Sequence, residues 1–591
     1  MCGIYGIISR KGDIRSDSNL ILAKQLANFL EHRGPDGQQM ILCGSHVLLG
    51  HTRLAINDVD GGKQPFMHST LEGIRSIVNG EIYNYYDIKR RYFSDSLYEL
   101  DTSSDCEILP YFLHGLLPKG DLAPMGMYAA ASYSYKDRKI LLARDFFGEK
   151  PLYYYMSNDV LIFCSEIRAL AAVITKLDQA HLNQFALAQF LLYGYSLSSE
   201  SIYREIRKVE AGSIIELSID RWHLSKREIS WTSSSLSKQS TDHSYDAIKD
   251  SIISYIKDST LSDVPLCMGL SGGLDSTFIA AITRDRITRA YTVNYEAQGG
   301  SDEAADAIST AKHLNIPHTT ITISNRSVAR LFVDQIKRKD SPIVDIAGIG
   351  YAALYERMHA DGFKVALMGH GGDELYMGYP WLFKSFEHNK KRASGSSFIY
   401  EELPDFRTYF HLLSKILKPD VLDSYKWLAY RPELSLLNNH YGVTFDLARR
   451  YWLEPNSLSM GDSLSMSYSI ESRHPLLSKQ VYNMLQGSNI DPLFYESKGL
   501  LKKVMREFLP DQLIQREKRY FSPPFMHYYS MIDSSLRIEW NNSPVLRNLG
   551  ILKDDVLNRF YKEGFKGDAF DYYLFPRLAT LQVWLQHHWK L

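Results

Sequence analysis

Cysteine is scarce in this chain, with five among 591 residues: Cys2, Cys43, Cys106, Cys164 and Cys267. They are scattered, odd in number and never spaced C-x-x-C. That excludes a disulfide scaffold and a zinc-finger pattern and points to a reducing compartment. Net charge is also missing: Lys plus Arg number 67 and Asp plus Glu 68, a formal charge of −1. A partner held by bulk charge, such as nucleic acid or an anionic membrane, is therefore not expected. No run of about 18 apolar residues occurs, which argues against a spanning helix. The N-terminus lacks the basic region and apolar stretch of a secretory signal. There is no G-x-x-x-x-G-K-[ST], hence no Walker-type site, and no internal repeat. With 45% hydrophobic and 23% charged residues, extensive disorder is not expected. A soluble, cytoplasmic, multidomain protein remains.

The periodicity changes along the chain. Residues 1–200 read as strands joined by short polar turns, which implies antiparallel pairing. Expected strands are Cys2–Ser9, Met40–Gly50, Thr52–Ile56, Ile74–Asn79, Met127–Tyr135, Lys139–Ala143, Pro151–Met156 and Val160–Ser165. Asn19–Glu31 has helical spacing. Ile229–Tyr245, Ser-rich at its centre, reads as a linker or exposed loop. Beyond it, helix Asp246–Lys257 leads into strands Val264–Leu270, Tyr291–Tyr295 and Phe363–Met368. These alternate with helical stretches, among them 302–314. Such alternation implies a parallel sheet with ligands at the carboxyl ends of its strands. The last third reads as mostly helical.

Position 2 carries chemistry. With Met1 removed, the Cys2 thiol and an α-amine lie on one residue. An α-amine with pKa near 8 can serve as the base that helps form the thiolate. Alone, such a cysteine is as readily a small buried hydrophobe. Five segments then follow in order: Met1-Cys2-Gly3-Ile4, Arg33-Gly34-Pro35-Asp36-Gly37, His51-Thr52-Arg53-Leu54-Ala55-Ile56, Asn79-Gly80-Glu81-Ile82-Tyr83-Asn84 and Ser104-Asp105-Cys106-Glu107. With Arg144–Tyr154 and Ser165-Glu166-Ile167, they closely resemble the glutaminase domain of class II glutamine amidotransferases. The resemblance implies that Cys2 attacks the side-chain amide of glutamine, forms a thioester and releases ammonia. It gives the oxyanion to the Asn79 side chain and the Gly80 N–H. Arg53 would take the substrate carboxylate, and Glu81 and Asp105 its ammonium, with Asn79 also lining the glutamine site.

In the second half, Ser271-Gly272-Gly273-Leu274-Asp275-Ser276 follows a strand and precedes a helix. Small residues there expose backbone N–H groups that can form an anion nest; a tight strand-to-helix turn would look the same. The motif resembles the pyrophosphate loop of ATP pyrophosphatases. Ser301-Asp302-Glu303, Gly369-His370-Gly371-Gly372-Asp373-Glu374-Leu375, Glu471-Ser472-Arg473-His474-Pro475-Leu476, Lys498-Gly499-Leu500-Leu501 and Arg516–Pro524 extend it. Their order resembles glutamine-hydrolysing asparagine synthetase and its relatives. The family implies ATP and Mg²⁺ as cofactors, with Asp275 and Asp373 as metal ligands. Ser271, Gly272, Gly273, Asp275 and Ser276 would line the phosphates; Leu270, Val293 and Gly369 would border the adenosine. Lys518 would balance charge in the transition state, although a solvated basic cluster also explains Arg516–Arg519.

Two positions depart from the family. His370 stands where the asparagine synthetases usually have an acidic residue, and an imidazole beside an acyl-adenylate is a candidate base for the attacking amine. Ser478 stands where an acidic residue often follows R-x-P-F-L. Both leave the acceptor acid open.

The implied fold is an N-terminal Ntn-hydrolase-type αββα sandwich with a C-terminal parallel-sheet ATP-pyrophosphatase domain, α+β followed by α/β, ending in a helical region. The division is a glutaminase domain over 1–210, a connecting hairpin and linker over 211–245, and a synthetase domain over 246–591. The implied reaction converts a carboxylic acid, aspartate first, to its amide through an acyl-adenylate, releasing AMP and pyrophosphate. A protein-lined channel would carry the ammonia. The partners are glutamine, ATP and the acceptor acid, without nucleic acid or membrane, and a homodimer stays open. Rival readings are the same chemistry on another carboxylate in secondary metabolism or sugar modification, a ligase for a non-ammonia amine, and a non-catalytic glutamine or nucleotide sensor.

Overall fold

Gly3–Ser9 is apolar almost throughout and forms a strand, β1, buried at every position. A strand with no exposed face belongs inside a sheet covered on both sides. The computed structural model places it there. The structure describes every residue except 1, 69–70, 72, 95–97, 118–121, 178–179, 198–200, 230–242, 298–303, 391–405, 424–439, 488–493, 517–522 and 590–591. After β1 come β2 (Gly37–Cys43), β3 (Val47–Arg53), β4 (Ile74–Ile82), β5 (Gly126–Ser134), β6 (Lys139–Arg144), β7 (Tyr153–Met156), β8 (Val160–Cys164), β9 (Ile206–Lys208), β10 (Ser213–Ser218) and β11 (His223–Glu228). They make two sheets, ordered β2-β3-β1-β8-β7-β9 and β11-β10-β6-β5-β4. Every pairing is antiparallel.

The period of two decides the layering. Neighbours on β4 enter different cores. Ile77 packs with Ile4, Leu49 and Phe163 between the two sheets. Val78 packs outward against Ile88, Leu109 and Phe112. On the far side of the first sheet, Ile7 and Leu48 meet Leu26 and Leu30 and the helix residue Leu170. The order is helix, sheet, sheet, helix, the expected sandwich. Helix Asp17–Phe29 starts where Ser16 accepts a hydrogen bond from the Asn19 N–H, a cap worth about 1 kcal/mol.

Two expected strands are corrected. Met40–Gly50 and Thr52–Ile56 are instead β2 and β3, because the chain turns at Gly44, whose φ is +69°, and β3 runs unbroken from Val47 to Arg53, with residues 54–56 outside any strand. Only glycine adopts such a positive φ freely. A run of β-compatible residues hides such a turn from periodicity alone.

The second half contains β12 (Leu266–Gly269), β13 (Ile287–Tyr295), β14 (His318–Ile323), β15 (Val365–Leu367) and β16 (Glu471–Arg473). They form one parallel sheet in the order β14-β13-β12-β15-β16. Strand β16 was not legible in the sequence, since it is Glu-Ser-Arg, yet all three residues are fully buried. Its charges are matched across the boundary with the first sheets rather than solvated. The C-terminal third is helical, including Phe525–Asn542 and Ala569–His588. Among the described residues no helix is long and apolar enough to cross a membrane.

The two halves share cores and ion pairs. Leu54, Ile56, Tyr83, Met127 and Phe147 pack in one cluster with Tyr255, Leu270 and Phe445. Arg144 pairs with Glu454 at 2.7 Å and Lys364 with Asp36 at 2.7 Å.

Candidate active sites

Cys2, at the start of β1, is buried (8% exposed). Its backbone nitrogen donates to Asn79 Oδ1 at 2.9 Å, and its carbonyl accepts from Arg33 Nε at 3.2 Å. Burial pushes the Cys2 thiol up, so thiolate formation requires a base close by. The amide nitrogen of Asn79, Nδ2, is buried and makes no hydrogen bond. It is a spare donor beside the thiol-bearing residue, which suits a developing oxyanion. Gly80 has a steric reason: a Cβ there would lie 2.1 Å from the Met127 carbonyl oxygen on β5.

Glu81 and Asp105 are brought together by Asn57, whose Nδ2 donates to Glu81 Oε2 at 2.5 Å and to Asp105 Oδ1 at 3.3 Å. Asp105 Oδ2 also accepts the Ile82 N–H at 2.6 Å. Burial, then the Asp105 charge, raises Glu81 well above the usual carboxylate range; burial raises Asp105 too. Two such carboxyls are ready for a cation, which would draw both back to the ionised form. Arg53 is anchored by the carbonyls of Val59 (2.8 Å) and Asp58 (2.6 Å), which aims its planar fork without using all five donors. Sequence reasoning did not single out Asn57. It also missed Arg473 on β16, whose Nη2 lies 3.2 Å from Glu81 Oε1 and whose Nε holds Glu471 at 2.6 Å. An arginine of the synthetase half thus touches a glutaminase carboxylate, a relationship between residues almost 400 apart that no local pattern carries.

The second site lies at the carboxyl ends of β12 and β15, neighbours in the parallel sheet. After β12, the Ser271 N–H donates to Ser276 Oγ at 3.0 Å and the Gly273 N–H to Ser271 Oγ at 3.1 Å, closing the loop before helix Leu274–Thr283. Gly272 sits between them. Leu270 donates its N–H to the Tyr291 carbonyl at 2.8 Å, and Val293 is buried on β13. Gly369 follows β15, so close that a Cβ there would lie 3.3 Å from Asp275 Cβ. Asp275 and Asp373 converge on one positive charge, the Lys498 ammonium, at 2.6 and 2.8 Å. Lys498 has φ of +58°, a conformation that costs a non-glycine residue energy and tends to persist where function requires it. Among the described residues no group of three or more His, Cys, Asp or Glu is arranged to hold a metal. Two carboxylates and an ammonium are the pattern at this point. Lys518 lies outside the described residues, as does Ser301-Asp302-Glu303.

His370 follows Gly369. Both of its ring nitrogens are buried and make no hydrogen bond. Its ring lies 5.1 Å from Tyr351 and, edge-on, 5.1 Å from His474. Burial, assisted by His474, lowers His370 to about 3. The imidazole is therefore neutral and a weaker base than a free histidine. His474 Nδ1 is 2.7 Å from Glu149 Oε2. Burial pushes Glu149 up to about 7. Ser478 has a local explanation: its hydroxyl accepts the Val481 N–H at 3.3 Å, capping helix Lys479–Gly487.

Two family models match the chain. One, a glutamine amidotransferase domain, covers residues 1–227; the other, asparagine synthase, covers residues 247–586, more than half of the chain. The chain belongs to the asparagine synthase family. It is a glutamine-hydrolysing amide ligase of that family, with ATP as a substrate. Asparagine synthetase [glutamine-hydrolyzing] 1 of Bacillus subtilis is 26% identical over 573 residues, 89% of this chain and 88% of that protein. Amidase chry2 of Gibberella zeae is 24% identical over 89% of each chain. A solved structure of the glutamine phosphoribosylpyrophosphate amidotransferase from B. subtilis matches 54% of this chain and 65% of its own, at 16% identity and a TM-score of 0.27. All the segments that carried the resemblance fall within the two matched spans, and this family member has both halves in one chain.

Proposed function

We propose that this ligase makes an amide from a carboxylic acid, with aspartate as the first candidate, by activating the acid as an acyl-adenylate. Glutamine is hydrolysed at Cys2. The Cys2 amine takes the thiol proton, the sulfur attacks the glutamine amide carbon, and Asn79 Nδ2 with the Gly80 N–H holds the oxyanion; the amine then gives its proton to the leaving nitrogen as the C–N bond breaks and ammonia departs, and water hydrolyses the thioester to glutamate and the free thiol. Arg53 binds the glutamine carboxylate; Glu81 and Asp105 bind its ammonium, with Asn57 giving way. At the second site, backbone N–H groups around Ser271–Gly273 and the Ser276 hydroxyl hold phosphate oxygens, while Leu270, Val293 and Gly369 border the adenosine. The acceptor carboxylate attacks the α-phosphorus, pyrophosphate leaves, and ammonia displaces AMP. We include Lys518 as a phosphate contact.

The observation that carries this reading is the convergence of Asp275 and Asp373 on a single cation beside the Ser-Gly-Gly loop. The pair suits Mg²⁺, a hard cation commonly held by one or two carboxylates together with phosphate oxygens. When bound it would supply charge neutralisation on the phosphates. His370 faces the incoming amine as a neutral acceptor. Phosphate charge nearby raises the basicity of an imidazole, which lets His370 take the proton that the amine sheds. The domain division 1–210, 211–245 and 246–591, and a cytoplasmic location, belong to the same proposal.

A pyrophosphate-release screen tests it. Aspartate or another acid, with glutamine and Mg²⁺-ATP, is expected to yield one pyrophosphate, one AMP and one amide per turnover. Silence across a broad acid panel would favour a glutamine or nucleotide sensor. A second reading, an acceptor other than aspartate, is favoured by His370 standing where an acid is usual, and by a fungal relative named an amidase.

A further inference from the structure

Aromatic rings line up beside the Gly-rich turn that follows β15. The first is His370, whose two buried ring nitrogens make no hydrogen bond, so a polar group of a ligand has a place there. Its ring lies 5.1 Å from Tyr351, on helix Gly348–Ala360. Tyr379 is within electrostatic reach of Tyr351, Glu374 and Asp373, which sets it near the far end of the same turn. Its ring stacks on Trp381 at 5.3 Å and 10°, and both meet Trp452, at 6.0 and 6.4 Å. Tyr351, Tyr379, Trp381 and Trp452 are each half-buried. Rings that only fill a core are covered on every side, whereas these four keep exposed surface next to the turn where the acyl group is activated.

Trp452 is carried by a rare backbone form. Arg449–Leu458 is a π-helix with Pro455 inside it. π-Helices are mostly single turns and concentrate at functional sites. This one is pinned from three directions. The Tyr195 hydroxyl donates to the Tyr451 carbonyl at 2.7 Å, Arg144 pairs with Glu454 at 2.7 Å, and Asn456 Nδ2 donates to Asp345 Oδ2 at 3.4 Å. Tyr195 also meets the Trp452 ring edge-on at 6.2 Å. Anchors on both sides of Trp452 hold its ring beside Tyr379 and Trp381, as a binding surface requires.

In the glutamine site proposed above, an α-amino acid is met by a guanidinium and two carboxyls. Beside His370 the rings offer flat, weakly polar surface instead. An ammonium and a second carboxylate laid against that surface would lose water without a matched partner. An aryl group laid there gains stacking and buried area. We propose that the acceptor acid is an aryl carboxylate, its ring packed against Tyr351, Tyr379, Trp381 and Trp452 and its carboxyl group beside His370. The inference rests on the two-site reading above and narrows its acceptor. The bonds made and broken are those already given. The carboxylate oxygen bonds to the α-phosphorus as pyrophosphate leaves, ammonia bonds to the acyl carbon as AMP leaves, and the proton shed by the amine passes to His370. The aryl body takes no part in these steps.

The test uses the full-length enzyme with Mg²⁺-ATP and saturating ammonium chloride, which takes the glutamine site out of the measurement. Pyrophosphate release and the mass of the amide are followed with benzoate, phenylacetate and naphthoate against aspartate, succinate and glucuronate. Wild type is compared with Tyr351→Leu, Trp452→Leu, Tyr351→Phe and Trp452→Phe, with Tm measured on each. At least one aryl acid is expected to exceed aspartate by about tenfold in kcat/KM. Each leucine variant should raise KM for that acid by about tenfold, the scale of an aromatic contact with its buried area, while kcat changes less and KM for ATP stays within about twofold. The phenylalanine variants keep a ring and should stay within about threefold of wild type. A non-aryl acid with a higher kcat/KM than every aryl acid overturns the inference and leaves the two-site reading standing. So does an aryl acid whose KM neither leucine variant moves. Equal losses toward the aryl acid and ATP with a lower Tm, not rescued by phenylalanine, mean that the rings are only core and overturn it as well. Absence of pyrophosphate release by wild type with every acid, from ammonium or from glutamine, overturns the two-site reading itself.

Discussion

Arg33 of the first half grips Asp462 of the second through two hydrogen bonds, Nη1 to Oδ2 at 2.9 Å and Nη2 to Oδ1 at 3.2 Å. Both side chains are almost fully buried, and Arg33 also contacts Glu166 at 3.3 Å. Removing the Asp462 charge leaves the buried Arg33 with Glu166 as its remaining counter-charge. Asp462→Asn is expected to cost about 3–5 kcal/mol and to lower glutaminase activity, because Arg33 also holds the Cys2 carbonyl. A double-mutant cycle with Arg33→Gln checks it by chemical denaturation. A coupling energy near zero would show that the pair does not join the halves.

Cys2→Ala should separate the two sites. Glutamine-dependent amide formation is expected to fall by more than about 10³-fold, while ammonium-supported formation persists. An uncleaved or N-terminally tagged preparation should behave like the variant, because the free amine would no longer be on Cys2. Loss of both activities in folded Cys2→Ala would contradict separable sites.

Lys498→Met removes the ammonium between Asp275 and Asp373. The two carboxylates then repel, so the variant is expected to have a lower Tm without ligand. Mg²⁺-ATP should raise its Tm by more than it raises that of wild type, since bound cation relieves the repulsion. Differential scanning fluorimetry with and without Mg²⁺-ATP reads both. An unchanged apo Tm would mean that the lysine does not hold the pair.

His370→Ala should lower kcat for ammonium-supported synthesis by about 10²-fold, the lower end for a proton-transfer group. His370→Gln, which can still accept a hydrogen bond, should recover part of it. Unchanged kcat in His370→Ala at saturating ammonium would remove His370 from the chemistry.

Acid should destabilise the fold. Burial lowers His51, His370, His474 and His588 to about 3, and His68 and His114 to about 4. Each is neutral when folded, so its contribution is full above the unfolded value near 6.5 and is lost as pH falls toward 3–4. Asp145 and Asp340, raised to about 6, and Glu149, raised to about 7, act in the opposite sense. Their contribution is full below about 4 and is lost as pH rises through 6–7. Glu81 and Asp105, which burial also raises, act with these carboxyls, but the unfolded chain takes up protons on all six histidines just below 6.5, so Tm should drop between pH 7 and pH 5. A Tm that rises over that interval would show that the buried histidines do not control acid stability.

The local features of both sites were legible because their determinants are local. The apolar strand behind Cys2, the glycines of the Ser271–Gly273 loop and the acidic pair Asp275 and Asp373 each follow a strand that its own periodicity announces. The αββα layering was implied by the resemblance to the amidotransferases, and the structure shows how β4 serves it, with alternate residues entering one core or the other. The Gly44 turn inside an expected strand was not legible, since its neighbours are all compatible with a strand.

By itself, the sequence determined the two chemistries and their order along the chain, and it singled out most of the residues that the structure gathers at the two candidate sites. Only the tertiary structure decided what joins them. Arg473 reaches Glu81, Lys498 sits between Asp275 and Asp373, and Glu149 meets His474, all over separations of a hundred residues or more. Burial is the physical reason: a charge removed from water must find its partner wherever the chain's packing brings one. That choice is made by the fold as a whole rather than by any local spacing.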